Sequence, residues 1–185
     1  MNETELRAQL EQHHDVCYGW VLSCCARVPE MAEDVLQTAY LKILQGRARY
    51  DGRAAFKTWL FAVIRMTALD ERRRQWLRHV RLGGYKPDAD SAVQRAVRGG
   101  RLDESVRIGA FQQALARLAK RQQEVLHLVF YQDMSLQEAS KVMGVSLGSA
   151  RTHYERGKRN LRTRLEKSKH FDEYGKDREE TEAAL

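Results

Sequence analysis

Apolar residues recur every three to four positions along most of this chain, which is the spacing of amphipathic helices. In the first half the pattern predicts helices over residues 3–26, 30–44 and 56–79. In the second half it predicts helices over 108–118, 121–131 and 147–165, and another that begins at Ser135. With only 2 Pro and 12 Gly, the chain has too few turn residues for a β sandwich, so we predict an all-α fold.

The helical pattern is interrupted between residues 83 and 107. Gly83-Gly84, Pro87 and Gly99-Gly100 bracket polar residues there, which is typical of a flexible linker, with one short helix over 91–97. We therefore predict two small helical domains, residues 1–82 and 108–168, joined by this linker. Residues 169–185 form an acidic tail, which we interpret as solvated. The alternatives are that it folds on a partner or shields a basic surface.

The second domain contains the pattern of a helix-turn-helix. Ser135-Leu136-Gln137-Glu138 is a capping box, in which Ser135 and Glu138 satisfy each other's backbone N–H groups. Gly144 then supplies a left-handed turn, and Ser146 is a good N-cap for the next helix. This order of cap, glycine turn and second cap is that of a DNA-binding helix-turn-helix.

The outer face of the last helix carries side chains that could contact base edges in a major groove. Arg can pair with guanine, Thr can touch a thymine methyl, and Glu can accept from cytosine. The residues on this face are Arg151, Thr152, Glu155, Arg156 and Arg159. Lys158, Arg162 and Arg164 lie nearer the flanks and suit phosphates. The alternative is a basic amphipathic helix whose outer face is only solvated.

Charge is unevenly distributed along the chain. Its 185 residues have a formal net charge of +7, with Lys and Arg concentrated in residues 47–107 and 135–169 and Asp and Glu in excess at both ends. Basic blocks of this strength favour a polyanion, most often nucleic acid. The chain has no apolar run long enough to span a membrane and no secretory signal at its start, and its 3 Cys form no disulfide framework, so we expect a cytoplasmic protein.

Aromatic and basic residues alternate around the loop 47–55 and the start of the following helix. Unpaired bases stack on aromatic rings while cations follow the backbone, so this mixture favours single-stranded or flipped-out nucleic acid. The residues are Tyr50, Phe56, Trp59 and Phe61 among Arg49, Arg53, Lys57 and Arg65. The alternative is that Phe56, Trp59 and Phe61 are core residues. The basic run 72–81 either crosses a duplex backbone or is a solvated face.

The second predicted helix is acidic on its outer side. Its residues outside the apolar stripe are Glu33, Asp34, Gln37, Tyr40 and Leu41. An exposed Tyr and Leu beside carboxylates are typical of an interface for a basic partner helix.

Several of these segments together resemble the extracytoplasmic-function (ECF) sigma factors of bacterial RNA polymerase, members of the sigma-seventy family. The sequences AEDVLQ (32–37), RYDGRAAFKTWL (49–60) and ALDERRR (68–74) resemble their second conserved region. LARL (115–118), Arg121-Gln122, the helix-turn-helix from Ser135 to Ser146, and GSAR (148–151) resemble their fourth region.

The resemblance implies a promoter-specificity subunit without catalytic residues, metal or cofactor of its own. It implies that Glu33, Asp34, Gln37, Tyr40 and Leu41 dock on the clamp helices of the largest subunit of core RNA polymerase. The last helix, from Ser149 onward, would read the upstream promoter element. A further set would bind and melt the downstream element as single-stranded DNA: Tyr50, Asp51, Arg53, Phe56, Lys57, Trp59, Arg65, Arg72, Arg73 and Arg74. Family members often have an anti-sigma factor, and the sequence leaves its existence here open.

Three residues depart from the family pattern. Met66 stands where Asn is usual, which puts one polar contact to the downstream element in doubt. Ala119 replaces the usual Pro, which loosens a helix boundary, and Glu155 replaces a residue that is non-acidic in many members.

Parts of the sequence are also compatible with other functions. A stand-alone helix-turn-helix regulator of duplex DNA is the main alternative, and a structural RNA-binding protein ranks below it. A metal or redox site could be drawn from His13, His14, Cys17, Cys24 and Cys25, but free cysteines are common in cores, so we favour buried thiols.

Overall fold

The computed structural model describes residues 2–81 and 111–167, and in this part of the chain it contains helices and turns and no strands. The first domain consists of α1 (Glu3–Gln12), α2 (His14–Cys24), α3 (Pro29–Leu44) and α4 (Phe56–Arg81). In the second, a helical segment over residues 111–116 precedes α5 (Lys120–Phe130), α6 (Leu136–Met143) and α7 (Leu147–Glu166). The all-α prediction is confirmed. The predicted linker, its short helix over 91–97 and most of the acidic tail lie outside the described residues.

One predicted helix was wrong. The single helix over residues 3–26 is divided at His13, which ends α1 with a backbone N–H bonded to Gln9 O and begins α2. The His13 Nδ1 atom also lies 2.8 Å from Gln9 O. The helical spacing of Leu6, Leu10 and Cys17 runs through the break, which is why periodicity alone did not show it. The chain then leaves α2 after Cys24, through residues with positive φ.

Large side chains from three helices fill the core of the first domain. Trp20 of α2 and Phe61 of α4 are completely buried and stack in parallel, with ring centroids 5.7 Å apart. The Trp20 indole N–H donates to the Phe61 carbonyl at 3.0 Å, so the only polar atom of the ring is satisfied. Val35 of α3 is also buried in this core.

The helix-turn-helix forms as the sequence predicts. The Ser135 hydroxyl accepts from the Glu138 N–H at 3.2 Å, and the Glu138 carboxylate accepts from the Ser135 N–H at 2.9 Å. The Ser135 hydroxyl also donates to the Glu138 carboxylate at 2.7 Å, and this bond, together with the one from the Ser135 N–H, lowers the pKa of Glu138. Gly144 has φ 64° and ψ 42°, a left-handed conformation that costs other residues energy. The Ser146 hydroxyl then caps α7 by accepting from the Ser149 N–H at 3.1 Å.

The two domains pack against each other, which the sequence did not predict. Helix α4 lies along α6, and α2 contacts α5. Buried apolar residues of both domains therefore form one continuous cluster. None of the helices in the described ranges combines the length and the apolar character that crossing a bilayer requires.

Candidate nucleic-acid interface

The outer face of α7 is free to meet DNA. Ala150 and Gly157 are buried against the second domain, so the opposite side of the helix points to solvent. A Cβ atom at Gly157 would lie 3.2 Å from Leu126 Cδ1, which shows how closely α7 approaches α5. Six of the predicted reading residues are exposed: Ser149, Arg151, Thr152, Glu155, Arg156 and Arg159. Lys158 is half-buried.

Three of these residues already have side-chain contacts in the helix or at its N-cap, and one of them is Ser149, whose hydroxyl accepts from the Ser146 hydroxyl at 3.0 Å. The Glu155 carboxylate lies 3.2 Å from Lys158 Nζ, and that ammonium lies 4.5 Å from the Tyr154 ring centroid. The Thr152 hydroxyl donates to Gly148 O at 2.9 Å. Glu155 must therefore leave Lys158 before it can accept from a base, whereas no described residue forms an ion pair with Arg151.

The loop that precedes α4 is held by its own polar groups. The Tyr50 hydroxyl donates to Ala54 O at 2.6 Å. The Asp51 carboxylate accepts from the Arg53 N–H at 3.1 Å and lies 3.4 Å from the Arg53 guanidinium. Asp51 and Arg53 are exposed, so both can contact a ligand without unfolding the loop.

The aromatic residues of this region divide into two groups. Tyr50, Phe56 and Trp59 are half-buried and form a cluster with ring centroids 5.3 to 5.4 Å apart. Phe61 is completely buried, so the core interpretation holds for it. The three rings of the cluster are partly exposed and pack on one another.

Two predicted DNA-binding cations contact the second domain. Lys57 Nζ donates to Gln132 O at 2.8 Å. Arg65 is buried, and its Nε atom lies 3.3 Å from a carboxylate oxygen of Glu124. Arg65 is buried in this arrangement and the half-buried Lys57 is held by Gln132, so the role of both in DNA binding stays a prediction.

The basic run of α4 is exposed at the predicted positions Arg72, Arg73 and Arg74. Arg74 lies 3.8 Å from the Glu71 carboxylate, which also binds Arg78 at 2.6 Å. Arg72 and Arg73 have no ion-pair partner among the described residues.

The predicted docking helix α3 shows the two faces that its sequence indicates. Glu33, Asp34, Gln37 and Leu41 are exposed. Tyr40 is half-buried, with its hydroxyl 3.4 Å from His14 Nδ1, and burial raises the pKa of this phenol.

The cysteines belong to the core. All three are free and buried. Burial raises the pKa of Cys17 and of Cys24 to about 12 and that of Cys25 to about 11. A thiolate is the reactive form, so these thiols are poor nucleophiles. Within residues 2–81 and 111–167, no three His, Cys, Asp or Glu side chains come together in a way that could hold a metal ion.

Sequence reasoning missed the residues that join the domains. The buried Glu124 of α5 lies 3.3 Å from Arg65 Nε, and Lys120 Nζ donates to Ser23 O of the first domain at 2.6 Å. The one sign of this domain contact in the sequence is a carboxylate, Glu124, beside the apolar run of α5. Its partner Arg65 lies far away along the chain, and local periodicity does not connect them.

Each half of the chain matches a known family model. Residues 10–78 match the family model of sigma-70 region 2, and residues 108–161 match that of sigma-70 region 4. The ECF RNA polymerase sigma factor SigX of Bacillus subtilis is 31% identical over 138 residues, which are 72% of this chain and 70% of that protein. The RNA polymerase sigma factor CarQ of Myxococcus xanthus is 31% identical over 135 residues, which are 73% of this chain and 75% of that one.

Solved structures share the fold. The sigma factor RpoE of Bartonella quintana, solved with the anti-sigma factor NepR, superposes with a TM-score of 0.71 at 18% identity, covering 89% of this chain and 99% of that one. CnrH, solved with the cytosolic domain of CnrY, gives a TM-score of 0.61 at 18% identity, covering 90% and 91%. The match over the first domain disfavours a stand-alone helix-turn-helix regulator. The chain therefore belongs to the ECF sigma factors of the sigma-70 family, the promoter-specificity subunits that bind RNA polymerase and promoter DNA.

Proposed function

We propose that this sigma factor divides its work among three surfaces. Helix α3 docks on the clamp helices of the largest polymerase subunit. The loop 50–56, with the basic face of α4, binds the opened downstream element. Helix α7 reads the upstream element. The observation that best supports this division is the exposed, unpaired Arg151 and its neighbours on a helix whose other face is buried.

The docking surface on α3 is supported by the separation of its two faces. Ala32, Val35 and Leu36 are buried in the first domain, so they fix the helix without using its acidic side. Glu33 and Asp34 are exposed and form no ion pair with any described residue. Two free carboxylates beside an exposed Leu41 complement a partner that is basic and partly apolar.

Charge reversal tests this docking surface. The double variant Glu33→Lys/Asp34→Lys should lose binding to core polymerase while its circular dichroism spectrum and melting temperature stay close to those of the wild type. The matched control is Glu11→Lys/Asp15→Lys, which makes the same charge change at exposed positions of α1 and α2. Equal polymerase affinity of the two double variants would remove α3 from the docking role.

The downstream surface is supported by exposed cations on the loop and along α4. Arg53, Arg72 and Arg73 are exposed, and Tyr50 belongs to the half-buried aromatic cluster. Rings and cations suit unpaired bases and their phosphates. In a holoenzyme bound to a promoter selected from a random library, Tyr50→Ala should reduce permanganate reactivity of the melted bases more than it reduces closed-complex formation. An equally reactive bubble would exclude Tyr50 from melting.

We also propose that an anti-sigma factor binds this chain. The support is indirect: RpoE of Bartonella quintana, which shares the fold, was solved in complex with the anti-sigma factor NepR. We expect a protein to copurify with the chain from its native cells. When added back, that protein should block binding of the chain to core polymerase. Copurification of polymerase subunits alone, under all growth conditions tested, would contradict this part of the proposal.

A further inference from the structure

Helix α4 has a second apolar face on the side away from its core. Its buried residues Leu60, Ile64 and Ala68 lie on one side of the helix. The opposite side carries a row of exposed residues that fall within about 100° of the helix circumference. This row, which we call the α4 stripe, consists of Met66, Leu69, Arg73, Trp76, Leu77 and Val80.

The α4 stripe is more apolar than a surface that meets only water. Trp76 is 63% exposed, Val80 59% and Met66 55%. Single exposed apolar residues are common on proteins, whereas a contiguous apolar patch marks a contact surface. From Met66 to Val80 the stripe extends about 21 Å along the helix axis. It is therefore long enough to receive a partner helix.

Arginines surround the stripe. Arg72 and Arg74 lie on its two flanks, and both are exposed, as are Arg73 within the stripe and Arg81 at its end. Nucleic acid would neutralise these cations but would leave most of the apolar row against a charged backbone. A protein helix with both apolar side chains and free carboxylates matches the stripe better.

The outer face of α3 has these properties. Its exposed residues within about 100° of the helix circumference are Glu30, Glu33, Asp34, Gln37, Leu41 and Leu44. The carboxylates lie toward the N-terminal end of this face, and the two leucines lie toward its C-terminal end. None of the carboxylates forms an ion pair with a described residue. We call this set the α3 face.

The two surfaces match when the helices run antiparallel. Glu33 and Leu44 are about 16 Å apart along α3, and Leu69 and Val80 are separated by the same length of α4. In this orientation the leucines of α3 lie against Met66 and Leu69, and its carboxylates lie against the arginine-rich end of α4. Within one chain α3 and α4 pack through their buried sides, so these outer faces can meet only between copies.

We propose that copies of this chain associate with one another, the α3 face of one copy packing on the α4 stripe of the next. Around a twofold axis the contact is made twice, and without one it repeats from chain to chain. A copy whose α3 face is occupied in this way cannot use it to dock on polymerase. That consequence rests on the proposed docking role of α3, whereas the association itself does not.

A charge swap tests the pairing of the two surfaces in full-length, nuclease-treated protein without polymerase. Analytical ultracentrifugation gives the dissociation constant. Glu33→Lys/Asp34→Lys and Arg72→Glu/Arg73→Glu should each weaken self-association by about tenfold or more, because each variant brings like charges together. An equimolar mixture of the two variants should regain the wild-type affinity, because the reversed surfaces are again opposite in charge.

The matched control is Glu11→Lys/Asp15→Lys, which makes the same charge change at exposed positions outside both surfaces and should associate like the wild type. Three results would overturn the proposal. One is a wild-type chain that stays monomeric at every concentration reached. Another is self-association of the two single-surface variants as strong as that of the wild type. The third is a mixture that associates no better than its components.

The apolar part of the contact is tested separately. Trp76→Ala should weaken self-association by about tenfold, because an exposed Trp at the centre of a contact is a typical anchor. Phe130→Ala removes a ring of similar exposure, 57%, from the second domain and should have no effect. Equal results for these two variants would exclude the α4 stripe as the contact. Failure of the docking role is a separate result, because it appears only as normal binding of Glu33→Lys/Asp34→Lys to core polymerase.

Discussion

The outer face of α7 and the loop 50–56 are both proposed to hold DNA, yet they are built in opposite ways. On α7, six of seven predicted residues are exposed and the helix is fixed from behind. Around the loop, three aromatic rings pack on one another, and Lys57 and Arg65 are held by the second domain. The first surface can bind DNA as it stands. On the second, two of the predicted cations already contact protein groups, and the exposed Arg53 is the cation that the loop itself offers.

The largest expected effect is the difference in unfolding free energy between substitutions of a core aromatic residue and a surface one. Phe61→Ala should lower the free energy of unfolding by about 3–5 kcal/mol, because the ring is completely buried against Trp20. Phe56→Ala should cost less than about 2 kcal/mol, since its ring is half-buried. Urea unfolding followed by circular dichroism measures both. Similar losses would mean that Phe56 is as much a core residue as Phe61, and that the surface cluster is smaller than described.

The domain contact beside the loop should be sensitive to acid. Burial lowers the pKa of His127 to about 4, and Arg27 and Lys120 act in the same direction. Between pH 6.5 and 4 the unfolded chain therefore binds more protons than the folded one. The stability present above pH 6.5 should fall by about 3 kcal/mol as the pH falls through 4.

The control for this acid effect is His127→Gln, which cannot titrate. Its free energy of unfolding should depend less steeply on pH than that of the wild type between pH 6.5 and 4. Parallel profiles for the two proteins would show that His127 is not held neutral in the domain contact.

Neighbouring residues on α7 should respond differently to the same substitution. Gly157→Ala should destabilise the second domain by about 1–3 kcal/mol, because the new Cβ meets Leu126 Cδ1 at 3.2 Å and Gln122 Cβ at 3.3 Å. Arg156→Ala should stay within about 0.5 kcal/mol of the wild type. Thermal unfolding of both variants checks this, and a large loss for Arg156→Ala would contradict the placement of Arg156 on a free face.

The smallest effect concerns the loop itself. Tyr50→Phe removes the hydroxyl that donates to Ala54 O and should cost about 0.5–1.5 kcal/mol while keeping the ring cluster. Holoenzyme made with this variant should melt its promoter nearly as well as the wild type, in contrast to Tyr50→Ala. Equal melting defects in both variants would assign the role of Tyr50 to its hydroxyl and not to its ring.

The helices and the α7 face could be predicted from the sequence because they depend on local signals. The capping box at Ser135, the left-handed Gly144 and the cap at Ser146 act over three or four residues, and the structure confirms all three. A helix's exposed face follows in the same way from its own buried stripe. Correct placement of Arg151 and Arg156 needed no knowledge of the rest of the fold.

The state of the loop and of Arg65 could not be predicted in this way. Arg65 is a surface cation by periodicity and composition, and only a carboxylate on a distant helix makes it a buried one. The break at His13 was missed for the opposite reason, since the apolar spacing continues through it. The spacing of apolar residues shows neither an ion pair between distant helices nor a local break in a helix.

The most direct test of promoter reading by α7 compares two arginines on nearly the same side of the helix. Arg151 lies in the first turns of α7, from which recognition helices contact bases. Arg162 projects within about 20° of it three turns later, where it pairs with Glu166 at 2.7 Å and suits only phosphate.

The measurement is holoenzyme binding to a library of upstream-element variants, built on a selected promoter and assayed at two salt concentrations. Arg151→Ala should lose about 1–3 kcal/mol of discrimination at one base pair. Arg162→Ala should weaken all variants alike and lower the salt slope by about one contact. A uniform loss across the library for both variants would contradict the account, because α7 would then hold the promoter without reading it.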